Sequence, residues 1–336
     1  MAEQAPHVSE ESTYILTMDL GEKLKSLIHI GIDAPGPLDD YTRDLQSELA
    51  SVLQQAMPET KVIPVHMRDL ADSVLGAAHR KVKDLGLENP VVVSTCPEIF
   101  SPIDGAHLQI NRIFDTKGRA IGIGPRPGHP SLDVQIDSQE KQLRGKDVVI
   151  VEDGIFTGST IRHSVNKLQE HGHETKAVVV GFDCKGTSLS WLKHTKYDLV
   201  TTEKFTNVKD WIPDHDFIPF VPGCGKVLGV IFDDQPYPFY DENRSSYATP
   251  YIQPYGPTAE WATIPHDKTS EVSRKCIELT RNLFETIVKL NPKEDITIGK
   301  LLNTRQRTSI PLPLGSTKFP ALDTRVTDYL AQIDQR

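Results

Sequence analysis

Short apolar runs alternate with amphipathic stretches along the middle of the chain, from about residue 60 to residue 234. The runs of aliphatic and β-branched residues predict buried strands, at 61–65, 90–95, 107–114, 120–124, 145–153, 176–183 and 226–234. Apolar residues at helical spacing predict helices, at 38–57, 67–87 and 159–171. Alternating strands and helices are typical of parallel sheets with right-handed crossovers, so an α/β fold with a mostly parallel sheet is predicted.

The two ends of the chain have a different pattern. Residues 1 to about 12 are polar and predict a flexible tail, and three short apolar stretches are weaker strand candidates, at 26–32, 197–205 and 216–221. Residues 235–266 hold six prolines and five tyrosines, which favours an extended segment. A strong amphipathic helix at 269–290 and a short terminal helix follow. The pattern thus divides the chain into an N-terminal extension, a core and a Pro/Tyr-rich and helical extension, at 1–60, 61–234 and 235–336.

Composition excludes several classes of partner. The chain has 336 residues and a formal net charge of -9, so the clustered basic surface that favours nucleic-acid binding is not expected. The N-terminus is no signal peptide, and no apolar run is long enough to span a membrane. The cysteines form no CxxC pair, which indicates neither a zinc site nor a disulfide framework, and they stand at Cys96, Cys184, Cys224 and Cys276. We therefore expect a protein of the reducing cytoplasm.

The residues best suited to binding a ligand lie together in VVIVEDGIFTGST, residues 148–160. Four aliphatic residues end in Glu152 and Asp153, and ligands of an open parallel sheet bind beyond the carboxyl ends of its strands. Two adjacent carboxylates can accept hydrogen bonds from vicinal sugar hydroxyls or hold the water shell of Mg²⁺, a hard oxygen-seeking ion. Their plainer interpretation is a solvated pair at a strand end that caps the next helix.

The residues after the acid pair suit a phosphate. Gly154 and Gly158 let the backbone turn sharply or be approached closely. Hydroxyl groups follow on Thr157, Ser159 and Thr160, at the start of the 159–171 helix. A helix N-terminus is a ready anion site, although one of these hydroxyls could simply be its N-cap. Sugar hydroxyls followed by a phosphate are the groups of a pentose 5-phosphate.

This stretch resembles the phosphoribosyl diphosphate signature of the type I phosphoribosyltransferases: four hydrophobic residues, two acids, three variable positions, then Thr-Gly-x-Thr. LRGKD (143–147) and TIRHSVNKLQEHG (160–172) are similar to its flanks, especially in the pyrimidine-operon attenuator/uracil phosphoribosyltransferases. The resemblance implies a doubly wound, mostly parallel α/β fold with a hood loop, here followed by the helical C-terminal extension. It implies an Mg²⁺-dependent enzyme that transfers ribose 5-phosphate from phosphoribosyl diphosphate to a nitrogenous base and releases pyrophosphate, and a homo-oligomer.

The resemblance also assigns roles. Glu152 and Asp153 would bind the ribose hydroxyls and the metal ion. The substrate-binding loop would hold the 5-phosphate through Gly154, Ile155, Phe156, Thr157, Gly158, Ser159 and Thr160. The hood would be the strand–turn–strand at 107–124 with its Pro/Gly loop, where Arg119 and Arg126 are the candidate catalytic residues and, with His129, would supply charge to the leaving pyrophosphate. Residues bordering the acceptor base would be Asp183, Lys185, Phe205 and Trp211.

Two departures from the family pattern keep other functions open. STCPEIFSP (94–102) replaces the basic, glycine-bearing turn expected at the pyrophosphate, and Phe156 stands where purine salvage members place an aspartate. The alternatives are a non-catalytic, regulatory binder of phosphoribosyl diphosphate or a nucleotide, and a homologue of the phosphoribosyl diphosphate synthetases. A phosphotransfer receiver domain is disfavoured by the Gly/Thr phosphate loop.

Overall fold

The computed structural model describes residues 12–100, 105–184, 196–203, 205, 207–240, 247–304, 308–312 and 318–334. Its strands are β1 (Ser12–Met18), β2 (Thr60–His66), β3 (Pro90–Ser94), β4 (Ala106–His107), β5 (Ile110–Phe114), β6 (Ala120–Pro125), β7 (Asp147–Ile155), β8 (Thr175–Asp183), β9 (Asp198–Glu203), β10 (Val208–Pro213), β11 (Lys226–Phe232), β12 (Gln235–Pro238), β13 (Tyr247–Thr249) and β14 (Thr308–Ser309). Its α-helices are α1 (Leu20–Leu24), α2 (Asp40–Ala56), α3 (Met67–Asp84), α4 (Pro97–Phe100), α5 (Leu132–Ser138), α6 (Glu140–Leu143), α7 (Ser159–Glu170), α8 (Thr258–Ala262), α9 (Thr269–Leu290), α10 (Ile298–Leu302) and α11 (Val326–Asp334).

A five-stranded parallel sheet in the order β4-β3-β7-β8-β9 forms the centre of the fold. Both faces of the sheet are buried, because Val149 and Val151 of β7 pack towards α3 whereas Val148 and Ile150 pack towards α7. A strand that is apolar on both faces reads as a continuous hydrophobic run, as in the sequence. The predicted α/β class and doubly wound, mostly parallel sheet are confirmed.

A second parallel sheet, β10-β1-β2, lies beside the first. Its central strand is β1, in which Ile15 pairs with Ile63 of β2 and with Trp211 of β10. The strand at 61–65 was predicted, whereas β1 and β10 were not. The predicted tail of residues 1 to about 12 lies, up to residue 11, outside the described residues.

Two predicted strands are wrong. Residues 26–32 fall in a 3-10 helix, Lys25–Ile30, because the N–H of Gly31, a residue with φ 71°, turns back to the carbonyls of Ile28 and Leu27 and closes a helical end. The stretch 216–221 begins in a 3-10 helix, Asp214–Phe217, and Phe220 has φ 68°, which no strand residue adopts.

A third sheet, with parallel and antiparallel pairs, is built around the hairpin β5–β6 and strand β11. The hairpin β5–β6, which corresponds to the predicted hood, joins β11 through a parallel pairing of β5, and β13 and β14 extend the sheet. Strand β12 returns against β11 through a turn at Asp233 and Asp234, both with positive φ. Such a turn matches the right-handed twist of the flanking strands.

The two extensions share one hydrophobic core. Leu45 and Leu49 of α2 pack in the same cluster as Leu283 of α9 and Leu330 of α11. The predicted helix 269–290 is confirmed with the same bounds, because its apolar stripe is long and regular. The division at 60/61 and 234/235 stays a prediction. Within the described residues, every helix is too short or too polar to cross a bilayer.

Candidate functional site

The carboxyl ends of the two parallel sheets face one cleft of about 450 Å³, a size typical of small-molecule sites. Strands β3 and β7 contribute from the first sheet, β1 and β10 from the second, and the hairpin β5–β6 with the segment around α8 forms the remaining wall. Carboxylates outnumber cationic groups among the side chains that line it, namely Asp19, Glu152, Asp153, Asp210, Asp216 and Glu260 against Lys23, Arg112 and Arg126. A polyanionic ligand would therefore meet more acidic than basic side chains there.

The acid pair lies at the end of β7, as predicted from the sequence. Glu152 is 8% exposed, and its Oε2 atom has no hydrogen-bond partner among the described residues. Asp153 Oδ1 accepts a hydrogen bond of 2.8 Å from the N–H of Gly154. Burial raises the pKa of Asp153 to about 6, against the opposing effect of that hydrogen bond. Burial, and then the charge of Asp153, raise the pKa of Glu152 well above its usual range.

The acid pair also fits a hard cation. Ligand atoms of Cys96, Glu152 and Asp153 lie within 4.8 Å of one another. Burial and the two acids raise the pKa of the Cys96 thiol, so it stays protonated and the carboxylate oxygens are the ligands on offer. Mg²⁺ prefers one or two carboxylates with water molecules completing its shell. The unpaired Oε2 of Glu152 is the atom that a cation would satisfy.

The loop after the acid pair presents donors to the cleft. Its seven residues, Gly154 to Thr160, all line the cleft. Gly158 is the N-cap of α7 in a left-handed conformation with φ 72°, and it has no side chain to cap the helix. Thr157 Oγ1 and Ser159 Oγ lie 3.1 Å apart, and the contact of Thr157 Oγ1 with the N–H of Ser159 is long, at 3.5 Å. The N–H groups at the start of α7 are thus left for an anion.

Gly154 lies against an aromatic wall. A Cβ atom on Gly154 would come within 2.9 Å of the Trp211 ring and 3.0 Å of the Phe182 ring, so only glycine lets the indole pack on this backbone. Trp211 donates from Nε1 to Thr17 Oγ1 at 3.3 Å. Of the predicted acceptor-bordering residues, Trp211 lines the cleft, whereas Phe205 packs on Phe182 with ring centroids 5.7 Å apart.

The other acceptor candidates differ in position. Asp183 ends β8 and does not line the described part of the cleft. Lys185 lies outside the described residues.

The two predicted catalytic arginines lie in different places. Arg126 lines the cleft, donates from Nε to the Ile110 carbonyl at 3.1 Å, and its charge acts to lower the pKa of both acids of the pair. Arg119 lies at the β5–β6 turn, where its guanidinium is 2.6 Å from Asp115 and 74% exposed. Arg119 and His129 are not among the described residues that line the cleft. Whether either arginine is catalytic stays a prediction.

Sequence reasoning missed the second sheet's contribution. Asp19 follows β1, and His215 and Asp216 follow β10; all three line the cleft. A signal for them exists, because YILTMD (14–19) and WIPDHD (211–216) are apolar runs ending in acids, like the run before Glu152. Neither run is followed by a glycine and hydroxyl loop, and nothing local indicates that the two pair.

These missed residues form a closed hydrogen-bond network. Asp214 Oδ1 accepts from the N–H groups of Asp19 and Leu20, at 3.1 and 3.0 Å, and Asp214 Oδ2 accepts from Gln46 Nε2 at 2.5 Å. His215 Nδ1 makes a short hydrogen bond with Asp19 Oδ1. Burial would raise the pKa of Asp19, but the charge and hydrogen bond of His215 outweigh it and hold that pKa below its usual range.

Three aromatic rings near the cleft enclose a lysine. The rings of Phe114, Tyr251 and Trp261 meet edge to face with centroids 5.7 to 6.1 Å apart. Lys226 Nζ lies 3.1 Å from the Trp261 centroid and 5.5 Å from that of Tyr251. The ring faces attract the ammonium, whereas burial favours the neutral amine and lowers the pKa of Lys226 to about 7. All three rings line the cleft and give it an apolar surface.

No protein-family model matches the chain, and no curated protein matches its sequence. Among solved structures, it is similar to a hypoxanthine phosphoribosyltransferase from Staphylococcus aureus, at 17% identity and a TM-score of 0.25, over 46% of this chain and 76% of that one. It is also similar to a hypothetical protein from Neisseria gonorrhoeae with bound ppGpp, at 14% identity and a TM-score of 0.28, over 44% and 80% of the two chains. These TM-scores are too low to assign a function or a ligand to this chain.

Proposed function

We propose that this protein is an Mg²⁺-dependent phosphoribosyltransferase that moves ribose 5-phosphate from phosphoribosyl diphosphate to a nitrogenous base. The observation that supports it best is the pairing of an unsatisfied acid, Glu152, with an uncapped helix start at Ser159 inside one cleft. An acid pair binds sugar hydroxyls and a helix N-terminus binds phosphate, in the order in which a pentose 5-phosphate offers them.

Each part of the substrate then has a group in the cleft. The carboxylates of Glu152 and Asp153 accept hydrogen bonds from the ribose hydroxyls. The N–H groups and hydroxyls of residues 157–160 hold the 5-phosphate. Arg126 directly follows β6. Its charge neutralises the pyrophosphate, which leaves with the electron pair of the broken C–O bond. The acceptor nitrogen attacks the anomeric carbon, and the protein contributes position and charge rather than a nucleophile.

The metal ion belongs to the same proposal. Glu152 and Asp153 would hold Mg²⁺, which supplies positive charge to the pyrophosphate as its charge develops. Because burial raises the pKa of both acids, and the charge of Asp153 further raises that of Glu152, a proton competes with the cation, and we expect Mg²⁺ binding to weaken as the pH falls towards 6.

The test is a turnover assay with phosphoribosyl diphosphate, Mg²⁺ and a panel of purine and pyrimidine bases, read by pyrophosphate release. We expect release with at least one base and its loss in Asp153→Asn. In parallel, phosphoribosyl diphosphate at about 100 times its Kd should add about 2.7 kcal/mol to the free energy of unfolding. Absence of pyrophosphate release with every base would contradict the proposal, whether or not the stabilisation is seen.

A non-catalytic binder is the second candidate, and the end of β3 favours it. Thr95 and Cys96 line the cleft there and bring no positive charge to the pyrophosphate. A binder would give the stabilisation by phosphoribosyl diphosphate without pyrophosphate release from any base. Formation of AMP from ribose 5-phosphate and ATP tests the synthetase alternative. The expected homo-oligomer is checked by light scattering of the purified chain.

A further inference from the structure

His215 is the one histidine that lines the described part of the cleft. It stands in the 3-10 helix Asp214–Phe217, directly after β10, and its side chain is 6% exposed. It therefore meets the cleft from the second sheet, on the opposite side from the phosphate loop. Its partner Asp19 and Asp153 of the acid pair line the same cleft.

The imidazole ring is fixed in one orientation. Asp19 accepts the proton of His215 Nδ1, so Nε2 is the nitrogen left to accept a proton. Asp19 is itself held at its backbone by Asp214, which Gln46 supports in turn. Nε2 lies 3.5 Å from Asp216 Oδ1, and in this tautomer both atoms are acceptors, so no hydrogen bond joins them. A carboxylate behind Nδ1 orients and stabilises a histidine that acts as a base.

The proposed transfer needs such a base. An acceptor nitrogen that bears a proton must lose it as the new C–N bond forms. The phosphate loop offers hydroxyl groups and the Phe156 ring, none of which accepts a proton near neutral pH. The acid pair is engaged by the ribose hydroxyls and the cation in the proposal above. The second sheet is the part of the cleft that holds an oriented proton acceptor.

We infer that His215 Nε2 takes the proton from the acceptor nitrogen and that Asp19 is its positioning residue. The inference rests on the proposed function and names its acceptor class: a flat heterocycle with a ring N–H, held between the Trp211 ring and the Trp261 wall. The nitrogen forms a bond to the anomeric carbon, the bond from that carbon to the pyrophosphate oxygen breaks, and pyrophosphate leaves with its electron pair. The proton passes from the nitrogen to Nε2, and Asp216 accepts a hydrogen bond from the imidazolium.

Charged groups on several elements of the fold surround His215. Asp19 follows β1, Asp214 and Asp216 flank the ring in the 3-10 helix, and Lys23 of α1 acts on Asp19. Lys226 of β11 is coupled by charge to Asp216. A change of pH dependence in a His215 variant has to be separated from these groups, which the His215 and His171 variants below leave in place.

The experiment compares His215→Asn with His171→Asn in the turnover assay. His171 is a matched control because two carboxylates, Asp133 and Asp137, also flank its ring at 3.0 Å, outside the cleft. We expect kcat to fall about 10²- to 10⁴-fold in His215→Asn, with the stabilisation by phosphoribosyl diphosphate unchanged. Added imidazole should restore part of kcat. His171→Asn should match the wild type in each respect.

The outcomes separate this inference from the proposed function. A wild-type chain without turnover overturns both, whereas wild-type turnover with an unchanged kcat in His215→Asn overturns only the role of His215. If His215→Asn does not show the wild-type thermal unfolding transition, His215→Gln and Asp19→Asn carry the test. Asp19→Asn should lower kcat while KM for phosphoribosyl diphosphate stays constant, and a change in KM alone would contradict a positioning role.

Discussion

The two walls of the cleft differ in whether their polar groups have hydrogen-bond partners within the protein. The wall made by β7 and α7 leaves groups unsatisfied, since Glu152 Oε2 has no partner in the described chain and α7 starts at a glycine without a side-chain cap. At the cleft end of the wall made by β1 and β10, the Asp214 carboxylate is satisfied internally, because it accepts three hydrogen bonds. Buried polar groups without partners cost free energy, so the first wall is built for a ligand and the second for a fixed geometry.

The largest expected effect comes from removing the central strand of the second wall. A shortened chain of residues 61–234 keeps the five-stranded sheet but loses β1, which lies between β2 and β10. The edges of β2 and β10 would then be unpaired, and the face of α3 would lose contact with Ile15. We expect no cooperative thermal unfolding, measured by circular dichroism, and no stabilisation by phosphoribosyl diphosphate. A sharp transition would instead support 61–234 as an independent domain.

The next largest effect distinguishes Asp214, whose carboxylate accepts hydrogen bonds, from Glu152, whose Oε2 atom has no partner among the described residues. Asp214→Asn should destabilise the fold by about 1–3 kcal/mol, because one of its three donors then faces an amide N–H₂. Glu152→Gln should leave the free energy of unfolding unchanged or raise it, because it removes a buried carboxylate that has an unpaired oxygen. Denaturant unfolding without ligand measures both. Equal destabilisation by the two substitutions would contradict the division between the walls.

A smaller effect concerns the hairpin that covers the cleft. Arg126→Ala should lower kcat/KM about 10- to 100-fold, which corresponds to a charge-assisted hydrogen bond to the leaving group. Arg119→Ala is the matched control, because this side chain pairs with Asp115 at the exposed turn, and we expect turnover near the wild-type level. A large loss in Arg119→Ala would show that the hairpin closes over the substrate and brings its turn to the cleft.

The smallest expected effect is a change in how the stability of the fold depends on pH, caused by Lys226 beside the Trp261 and Tyr251 rings. The pKa of Lys226 is about 7 in the fold because of burial, and that of an unfolded lysine is near 10.5. Between these values the unfolded chain binds more protons, so this group makes the fold more stable as the pH rises from about 7 towards 10, and the cost of burying its charge is fully present below about 7. Lys226→Met should abolish this rise, whereas Lys117→Met, at the exposed hairpin turn, should keep it. Melting temperatures at pH 6, 7.5 and 9 measure the slopes, and parallel curves for Lys226→Met would contradict the buried amine.

The same contrast explains what the sequence could predict. The β7–α7 wall was found because thirteen contiguous residues, 148–160, carry the strand end, the acids and the loop. Helix α9 was predicted with its bounds because its apolar stripe runs unbroken for 22 residues. Strands β1 and β10 were missed, because Ile15 finds Trp211 only through a pairing between distant segments. Short apolar runs such as 26–32 fit a strand or a helical turn equally well, and the left-handed Gly31 decides the outcome.

The position of β1 in the middle of its sheet also affects the order in which the sheet can form during synthesis. Asp19 and Asp214 are 195 residues apart in the chain. At about 5–20 residues per second, on the order of 10–40 s pass on the ribosome between the two. During that interval β1 can pair with β2 on one edge only, while the strand that completes the sheet does not yet exist. The nascent chain therefore has β1 and its phosphate loop before β10 completes the second sheet, and ligand binding in the complete cleft has to await β10.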